Sequence, residues 1–366
     1  MGTRILVTGA GSGPSNNLMR SLLHGDPSIE LMGCHSDRFT LKKSTANRNF
    51  LLPPSDIDTL AFDTALRSVI ESATVELAMP GSDRDAYVLA RIHARAALPC
   101  RMFLPAVKTI ELCQDKYTLS AFLRERDIPA PRTYALTDRA SLAQAWRELA
   151  PRELAWCRIR RGFASRGATK VRDAEQAWAW ISYWHTMRGI PVAEFTLSEF
   201  LPGRDFNIQG LCSGGGVRLI KMCERLSYLN ADHHPSGMAS TPALAKTVWE
   251  PQAVETCERA LRAIDPRAQG VFSIDLKENE AGEACITEIN AGRFCMITNI
   301  HDLTGRYNMA TTYVRLALGR TTGIEDPYDH SEEHYLVRDL DTLPTIVATD
   351  ALFDGIERVQ TARVGA

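Results

Sequence analysis

The residues best suited to do chemistry lie close together, between positions 270 and 293. Residues 270–276 and 284–290 read as two strands joined by a polar turn at 277–283 that contains Gly282. Opposed positions in a hairpin sum to a constant, so centring the turn on Ala281 and Gly282 sets Asp275 opposite Glu288. Asn290 falls two residues past Glu288 on the same face, while Phe272, Ile274 and Leu276 face the other way. Facing carboxylates repel unless a cation or a proton lies between them. A divalent metal removes that repulsion, and magnesium suits the site: it takes hard oxygen ligands, one or two of them carboxylates, and completes its shell with water and phosphate oxygens. The amide oxygen of Asn290 offers a further ligand, and Arg293 reaches the same region as a charge clamp. A solvated polar hairpin face would use the same residue types, so the hairpin alone leaves both readings open.

A second cluster shifts the balance. From Leu154 onward Ala155, Cys157 and Ile159 fall on one face of a strand, and Arg158 and Arg160 on the other. The strand empties into Gly162, Phe163, Ala164, Ser165, Arg166 and Gly167, a loop of mostly small residues. Guanidinium groups ahead of such a loop present charge-assisted donors to phosphate oxygens. Arginines on one segment and carboxylates with an amide on another make the two halves of a magnesium-polyphosphate site.

The elements that must position these groups follow from patterning. Residues 4–7 form an apolar strand that runs into Gly9, Gly11 and Gly13 and then a helical pattern through Asn17, Leu18, Arg20 and Leu22. Strands near 29–34 and 50–52, a helix over 58–72 and an apolar run at 75–79 continue the alternation, which predicts an open, mostly parallel α/β layer over residues 1–112. A dinucleotide fingerprint needs a third glycine at position 14, where Pro14 stands. The turn therefore reads as structural, or as a loop at a substrate edge, ahead of a nicotinamide site.

A helix opens at Gln114, Asp115 and Lys116 and stops before Pro129 and Pro131; a second domain begins about there. Trp178, Trp180 and Trp184 share a helix whose 177, 181, 184 and 188 positions make one stripe, which favours subdomain packing over base stacking. Strands over 191–200, 206–212 and 217–223 surround the turns at 202–205 and 214–216. Adjacent His233 and His234 point to different sides of an extended chain, so the segment 232–237 reads as a substrate-facing loop rather than a metal pair, with Ser236 and Gly237 as candidate contacts. Short strands near 335–337 and 345–347 predict a small β appendage over 331–366.

Composition sets bounds on partners. The 366 residues are 45% hydrophobic and 23% charged, an ordinary globular balance that fits two or three packed subdomains. A net charge of -2 supplies no basic field for nucleic acid, and no apolar run approaches a membrane span. The opening reads as a strand rather than a signal peptide, and nine scattered cysteines without paired spacing fit reduced thiols; both point to a cytoplasmic protein.

At this point the sequence resembles the ATP-grasp superfamily over most of its length, and more narrowly the single-copy relatives of the carbamoyl-phosphate synthase large subunit. Ser198 to Asp205, reading Ser-Glu-Phe-Leu-Pro-Gly-Arg-Asp, is similar to the family's E-x-L-P-G-x-E stretch, and Gly11 to Pro14 is similar to the opening of the synthase relatives. The resemblance implies an α/β fold with an N-terminal open parallel (pre-ATP-grasp) domain over 1–112. A two-lobed α+β ATP-grasp domain over 113–330 would follow, with a small mobile lobe over about 132–197.

It implies ATP contacts from Lys116, Arg158, Arg160, Ser165, Arg166 and Gly167. Glu199, Phe200 and Leu201 would hold the adenine edge, largely through main-chain groups, and Asp205 would accept from the ribose. Magnesium, two ions or manganese in their place, would be held by Asp275, Glu288 and Asn290, and Arg293 with Arg158 would serve the transferred phosphate. Two departures stand out: Arg158 replaces the usual lysine, exchanging a point donor for a planar fork, and Ala291 with Gly292 replaces a single proline ahead of Arg293.

The activity implied is an ADP-forming ligase that converts a carboxylate to an acyl phosphate and couples it to an amine. Its substrates would be small molecules, with neither nucleic acid nor membrane as a partner, and a homodimer is compatible with it. A bicarbonate-activating enzyme, as in the synthase relatives, ranks below this because one ATP-grasp copy is present instead of two. A nucleotide-binding regulator without turnover ranks lower again, since such a protein could lose its carboxylates.

Overall fold

The computed structural model describes residues 2–56, 59–151, 153–162, 165–330, 333–340 and 345–351. Strand β1 (Arg4–Thr8) is buried over its Ile-Leu-Val run, as suits a strand covered on both faces. The chain turns at Gly9 and Gly11, both at positive φ, and enters α1 (Gly13–Gly25), with Pro14 in the first turn where its missing N–H costs nothing. Then come β2 (Glu30–His35), α2 (Arg38–Leu41), β3 (Arg48–Leu51), α3 (Thr59–Ser72), β4 (Leu77–Met79) and α4 (Asp83–Arg95). The four strands pair in parallel in the order β3-β2-β1-β4, the open α/β layer that the alternation predicts.

Helices α5 (Val107–Gln114) and α6 (Lys116–Arg124) lead out of that layer. A small antiparallel sheet follows, ordered β5-β8-β6-β7, from β5 (Thr133–Ala135), β6 (Ala155–Ile159), β7 (Thr169–Val171) and β8 (Phe195–Glu199). Helices α7 (Arg139–Leu149) and α8 (Ala174–Arg188) accompany it. Leu142, Cys157, Ile181 and Phe195 centre a core of its own, against which Trp178, Trp180 and Trp184 pack.

The large sheet has seven strands, all antiparallel to their neighbours, in the order β13-β12-β9-β10-β11-β14-β15. They are β9 (Asp205–Ser213), β10 (Gly216–Tyr228), β11 (Pro242–Thr247), β12 (Gly270–Glu278), β13 (Ala284–Ala291), β14 (His334–Val337) and β15 (Thr345–Ala348). The period of two divides its faces. Phe206, Ile208, Phe272, Ile274 and Ile289 enter a core shared with Leu6 and Met32 of the parallel layer, while Asp205, Asn207, Ser273, Asp275 and Lys277 alternate with them on the other face.

Helix α9 (Pro251–Ile264) supplies Val254, Cys257 and Leu261 to the same core. Helix α10 (Thr298–Asp302) lies against α1, and α11 (Met309–Ala317) places Tyr313 and Val314 with Leu18 and Leu22 of α1 in a second shared core. The parallel layer and the large sheet are therefore packed as one body. The tail read as a β appendage extends the large sheet's edge through β14 and β15; residues 352–366 lie outside the described residues. Among the described residues no helix is long and apolar enough to cross a membrane.

Candidate active site

The ribbon of β12 and β13 pairs Asp275 with Glu288 and Ser273 with Asn290. A bulge separates this pair from the turn: Leu276 opposes Ile286, and the extra residue, Thr287, donates its hydroxyl to the Asp275 carbonyl at 3.1 Å. The register beside the turn is thus one residue off the simple hairpin rule, while the carboxylates still face each other. Across the next strand Asn207 opposes Asp275 and donates to its carboxylate at 2.8 Å. His301 lies 3.1 Å from the Asn207 amide oxygen; its burial, with Lys221 nearby, lowers the imidazole to about 3, so the neutral ring donates this hydrogen bond through Nε2. Burial, and then the charge of Glu288, push the Asp275 carboxyl up from its usual range.

Arg225 of β10 bridges Asp275, at 3.1 Å, and Asp205, whose other oxygen accepts from the Tyr228 hydroxyl. Asp205 lines the cavity, but both of its oxygens are engaged. Its carboxylate anchors Arg225, so a ribose hydroxyl, the partner expected for it, would share an oxygen already engaged.

Cations approach Glu288 from two other elements. Lys116, the first residue of α6, places Nζ 3.5 Å from the Glu288 carboxylate and donates to the Gly162 carbonyl at 2.7 Å. Arg158 of β6 places Nη1 4.0 Å from Glu288 and donates through Nη2 to the Thr287 carbonyl, and its buried Nε has no hydrogen-bond partner. Arg160 does not join them. The strand ends at Ile159, and the Arg160 guanidinium turns to Asp115 at 2.6 and 2.7 Å, so the expected same-face pair of arginines is corrected.

Arg293 lines the same cavity but is held by protein partners. Its Nε and Nη2 meet the Asp83 carboxylate of α4, both at 2.7 Å, and Nη2 also donates to Asn290 at 2.9 Å. Its donors face protein acceptors, so it ties the ribbon to the parallel layer and fixes Asn290 rather than standing free as a phosphate clamp.

Asp275, Glu288, Asn290, Arg158, Arg225 and Arg293 line a cavity of about 660 Å3, and Lys116 and Arg160 lie outside its lining. Glu199, Phe200 and Leu201 line one end. The Glu199 carboxylate holds the main chain and side chain of Arg132, at 2.8 and 2.6 Å, and among the described residues no hydrogen bond occupies the main chain of Phe200 or Leu201. Of the small-residue loop, Ser165 lines the cavity at φ +53, Arg166 lies over the Trp184 ring, and buried Gly167 accepts from Trp180. Phe163 and Ala164 lie outside the described residues. Ser236 and Gly237 do not reach the cavity; the Ser236 hydroxyl closes a turn with Met238, and residues 238–241 line the wall in their place. At the far end stand Ser12, Gly13 and Pro14 with Ser82 and Met296.

Sequence reasoning missed Arg225, Asn207 and Asp83. The alternation of Asp205, Asn207 and Gln209 signals a polar sheet face around Asn207. Asp83 meets Arg293 across 210 positions of sequence, and no local pattern announces it.

A parallel α/β layer joined to an antiparallel sheet and a small lobe, closing on a carboxylate ribbon flanked by cations, defines a nucleotide-binding architecture of the grasp type. The sequence model of the ATP-grasp domain matches residues 113–295, half of the chain, and the chain belongs to the ATP-grasp family. Solved structures share the fold at low identity. The biotin carboxylase domain of 2-oxoglutarate carboxylase from Hydrogenobacter thermophilus, in complex with MgADP, ADP and bicarbonate, is 13% identical over 92% of this chain and 74% of its own, with a TM-score of 0.70. An L-amino acid ligase from Bacillus licheniformis is 13% identical over 92% and 80%, at 0.69. The N5-carboxyaminoimidazole synthetase from Staphylococcus aureus complexed with ADP is 11% identical over 93% and 83%, at 0.70. No curated protein sequence matches the chain.

Proposed function

We propose that the chain is an ATP-dependent, ADP-forming ligase that phosphorylates a substrate carboxylate and passes the acyl group to an amine. One observation carries this: Asp275 and Glu288 oppose each other across the ribbon while Lys116 and Arg158 face Glu288 from the other side at 3.5 and 4.0 Å. Among the described residues no group of three or more His, Cys, Asp and Glu side chains could hold a metal. Two carboxylates and the Asn290 oxygen instead fit magnesium, which keeps places for phosphate oxygens. The partnerless Nε of Arg158 fits the same reading, because a buried N–H without an acceptor is costly unless a ligand supplies one. Bound there, magnesium would offset charge on the β- and γ-phosphates.

In this reading the free main chain of Phe200 and Leu201 receives the adenine edge, and Trp156, whose ring centroid is 6.4 Å from that of Phe200, closes one side. Lys116 and Arg158 receive phosphate oxygens, and the loop of Ser165, Arg166 and Gly167 covers them and excludes water. Arg293, held by Asp83, fixes Asn290. A carboxylate oxygen of the substrate bonds to the γ-phosphorus as the bond to ADP breaks. The amine then attacks the acyl carbon and loses a proton, and phosphate leaves carrying the bridging oxygen. Incubation with ATP, an amine and an acid labelled with heavy oxygen in its carboxylate tests this. One labelled oxygen should appear in the released phosphate, and phosphate free of label would reject the acyl phosphate.

A further inference from the structure

A second cavity, of about 270 Å3, opens in the crevice at the carboxyl ends of β1 and β2, and Ser12, Ser82 and Arg84 line both it and the main cavity. Open parallel sheets bind ligands at this place, and the glycine turn there invites a dinucleotide. The side chains give a different answer. Asp85, in the first turn of α4, lines the crevice and lies against the turn after β1, where a Cβ at Gly9 would fall 2.9 Å from its Oδ2; Gly9 also sits at φ +64. The two neighbouring turns are locked together. Gly81 donates its N–H to the Thr8 hydroxyl at 3.3 Å, the Ser15 hydroxyl donates to the Thr8 carbonyl at 3.0 Å, and a Cβ at Gly81 would meet the Ser15 oxygen at 1.9 Å.

The carboxylate held in this frame feels the charges of His35 and Arg84 at longer range but makes no direct ion pair among the described residues. Its neighbour Arg84 is paired with Asp56 at 3.0 Å. His35, which also lines the crevice, accepts the Asp37 N–H through Nδ1 at 2.7 Å. Burial pushes the Asp85 carboxyl above its usual range, against the hydrogen bonds of Ser82 and Thr8 and the more distant charges of His35 and Arg84. The first turn of α4 softens the cost of a negative charge there but does not cancel it. With Arg84 already paired to Asp56, the carboxylate at the wall favours a cation over a pyrophosphate as its direct partner.

We propose that the side cavity is an ammonium seat, with Asp85 as the acceptor, and that the ligand's remaining atoms pass Ser12 and Arg84 into the main cavity. The acceptor substrate is then a molecule with a charged amino group set apart from its reacting group, such as an amino acid or a diamine. That assignment of substrate class rests on the ligase reading, whereas the seat itself does not.

Calorimetry on the full chain without nucleotide tests the seat, using 1,4-diaminobutane as the probe and butane-1,4-diol as its neutral counterpart. The diamine should bind and the diol should not. Asp85→Asn should weaken the diamine at least about tenfold, the scale of one charge-assisted hydrogen bond. It should also leave the melting temperature unchanged or higher, because a carboxylate whose burial outweighs its hydrogen bonds and distant charges is gone. A residue that only caps α4 would show the reverse, a lower melting temperature with diamine binding intact. Failure of the diamine to bind, equal binding of diol and diamine, or equal binding of the diamine by both proteins overturns the proposal. Should Asp85→Asn not fold, Asp85→Ser takes its place, because the diamine could also be drawn to Asp275 and Glu288 and only a change at Asp85 locates it. No ATP turnover enters the readout, so failure of the ligase reading would show separately, in the oxygen-transfer experiment.

Discussion

Glu288→Gln removes one negative charge from the ribbon and keeps the shape of the side chain. In the fold, Glu288 loses its contacts with Lys116 at 3.5 Å and Arg158 at 4.0 Å. The contacts are long, but the Lys116 and Arg158 side chains are only 7% and 12% exposed against 24% for Glu288, so losing them costs about 1 to 2 kcal/mol. Relief of the repulsion with Asp275 works in the opposite direction, and Lys116 and Arg158 keep their bonds to the Gly162 and Thr287 carbonyls. The melting temperature should therefore move by no more than a few degrees, at roughly 2 to 4 °C for each kcal/mol.

The chemical loss should be far larger. Removing a group aimed at charge that develops in the transition state costs about 3 to 4 kcal/mol, or roughly a factor of 100 to 1,000 in kcat. ADP release measured across a magnesium titration should show a lower plateau and a higher midpoint, while thermal melting shows an intact fold. A folded variant with the magnesium dependence and turnover of the natural chain would refute the reasoning, and the facing carboxylates would then be a structural feature of the ribbon.

Two further perturbations separate positioning from direct contact. Asp83→Asn breaks the paired bonds to Arg293 and should cost about 3 kcal/mol of stability, with kcat falling more than ATP affinity; a loss confined to affinity would count against the tie between α4 and the ribbon. His301 has a folded pKa of about 3 against an ordinary 6.5, so the folded state binds fewer protons, its full contribution holds above pH 6.5, and stability drains away as pH falls toward 3. From pH 6.5 to 5 the drop is about 2 kcal/mol, at ~1.36 per unit. His301→Gln should flatten that slope in denaturant unfolding, and equal slopes would remove the buried neutral imidazole from the account. Asp302, pushed up to about 6 by burial, has the opposite slope and is present in both proteins.

What the sequence made legible was local. The strand period placed Asp275 opposite Glu288 and set Arg158 on the face away from Cys157, because side-chain direction in a strand depends only on near neighbours. Arg160 departs from its expected direction because the strand ends one residue before it, and an end is set by tertiary competition, here the capping carboxylate of Asp115. The Thr287 bulge left no trace in the pattern. It shifted only the register beside the turn, so the simple rule still paired the right residues. The partners of Arg293 and Asp205 were not legible, since ion pairs across 210 and 20 positions of sequence depend on which faces the sheets bring together.

Those unforeseen partners decide which cations remain open to a ligand. Among the described residues Arg225, Arg293, Lys116 and Arg158 approach the ribbon's carboxylates and amide, beside Lys277 of the ribbon itself, 3.9 Å from Asp205. Arg225 is bound to Asp205 and Asp275, and Arg293 to Asp83 with two bonds of 2.7 Å. Moving either toward a phosphate would strand a partly buried carboxylate, at a cost of several kcal/mol. Lys116 and Arg158 stand at 3.5 and 4.0 Å from one shared carboxylate, too far for a strong bond, and Arg158 keeps an N–H without an acceptor. A phosphate could take both without breaking any short ion pair. The same polar sheet face thus sorts its charges into a framework that fixes the ribbon and a looser pair, Lys116 and Arg158, and it is to this pair that the proposed function assigns the phosphate.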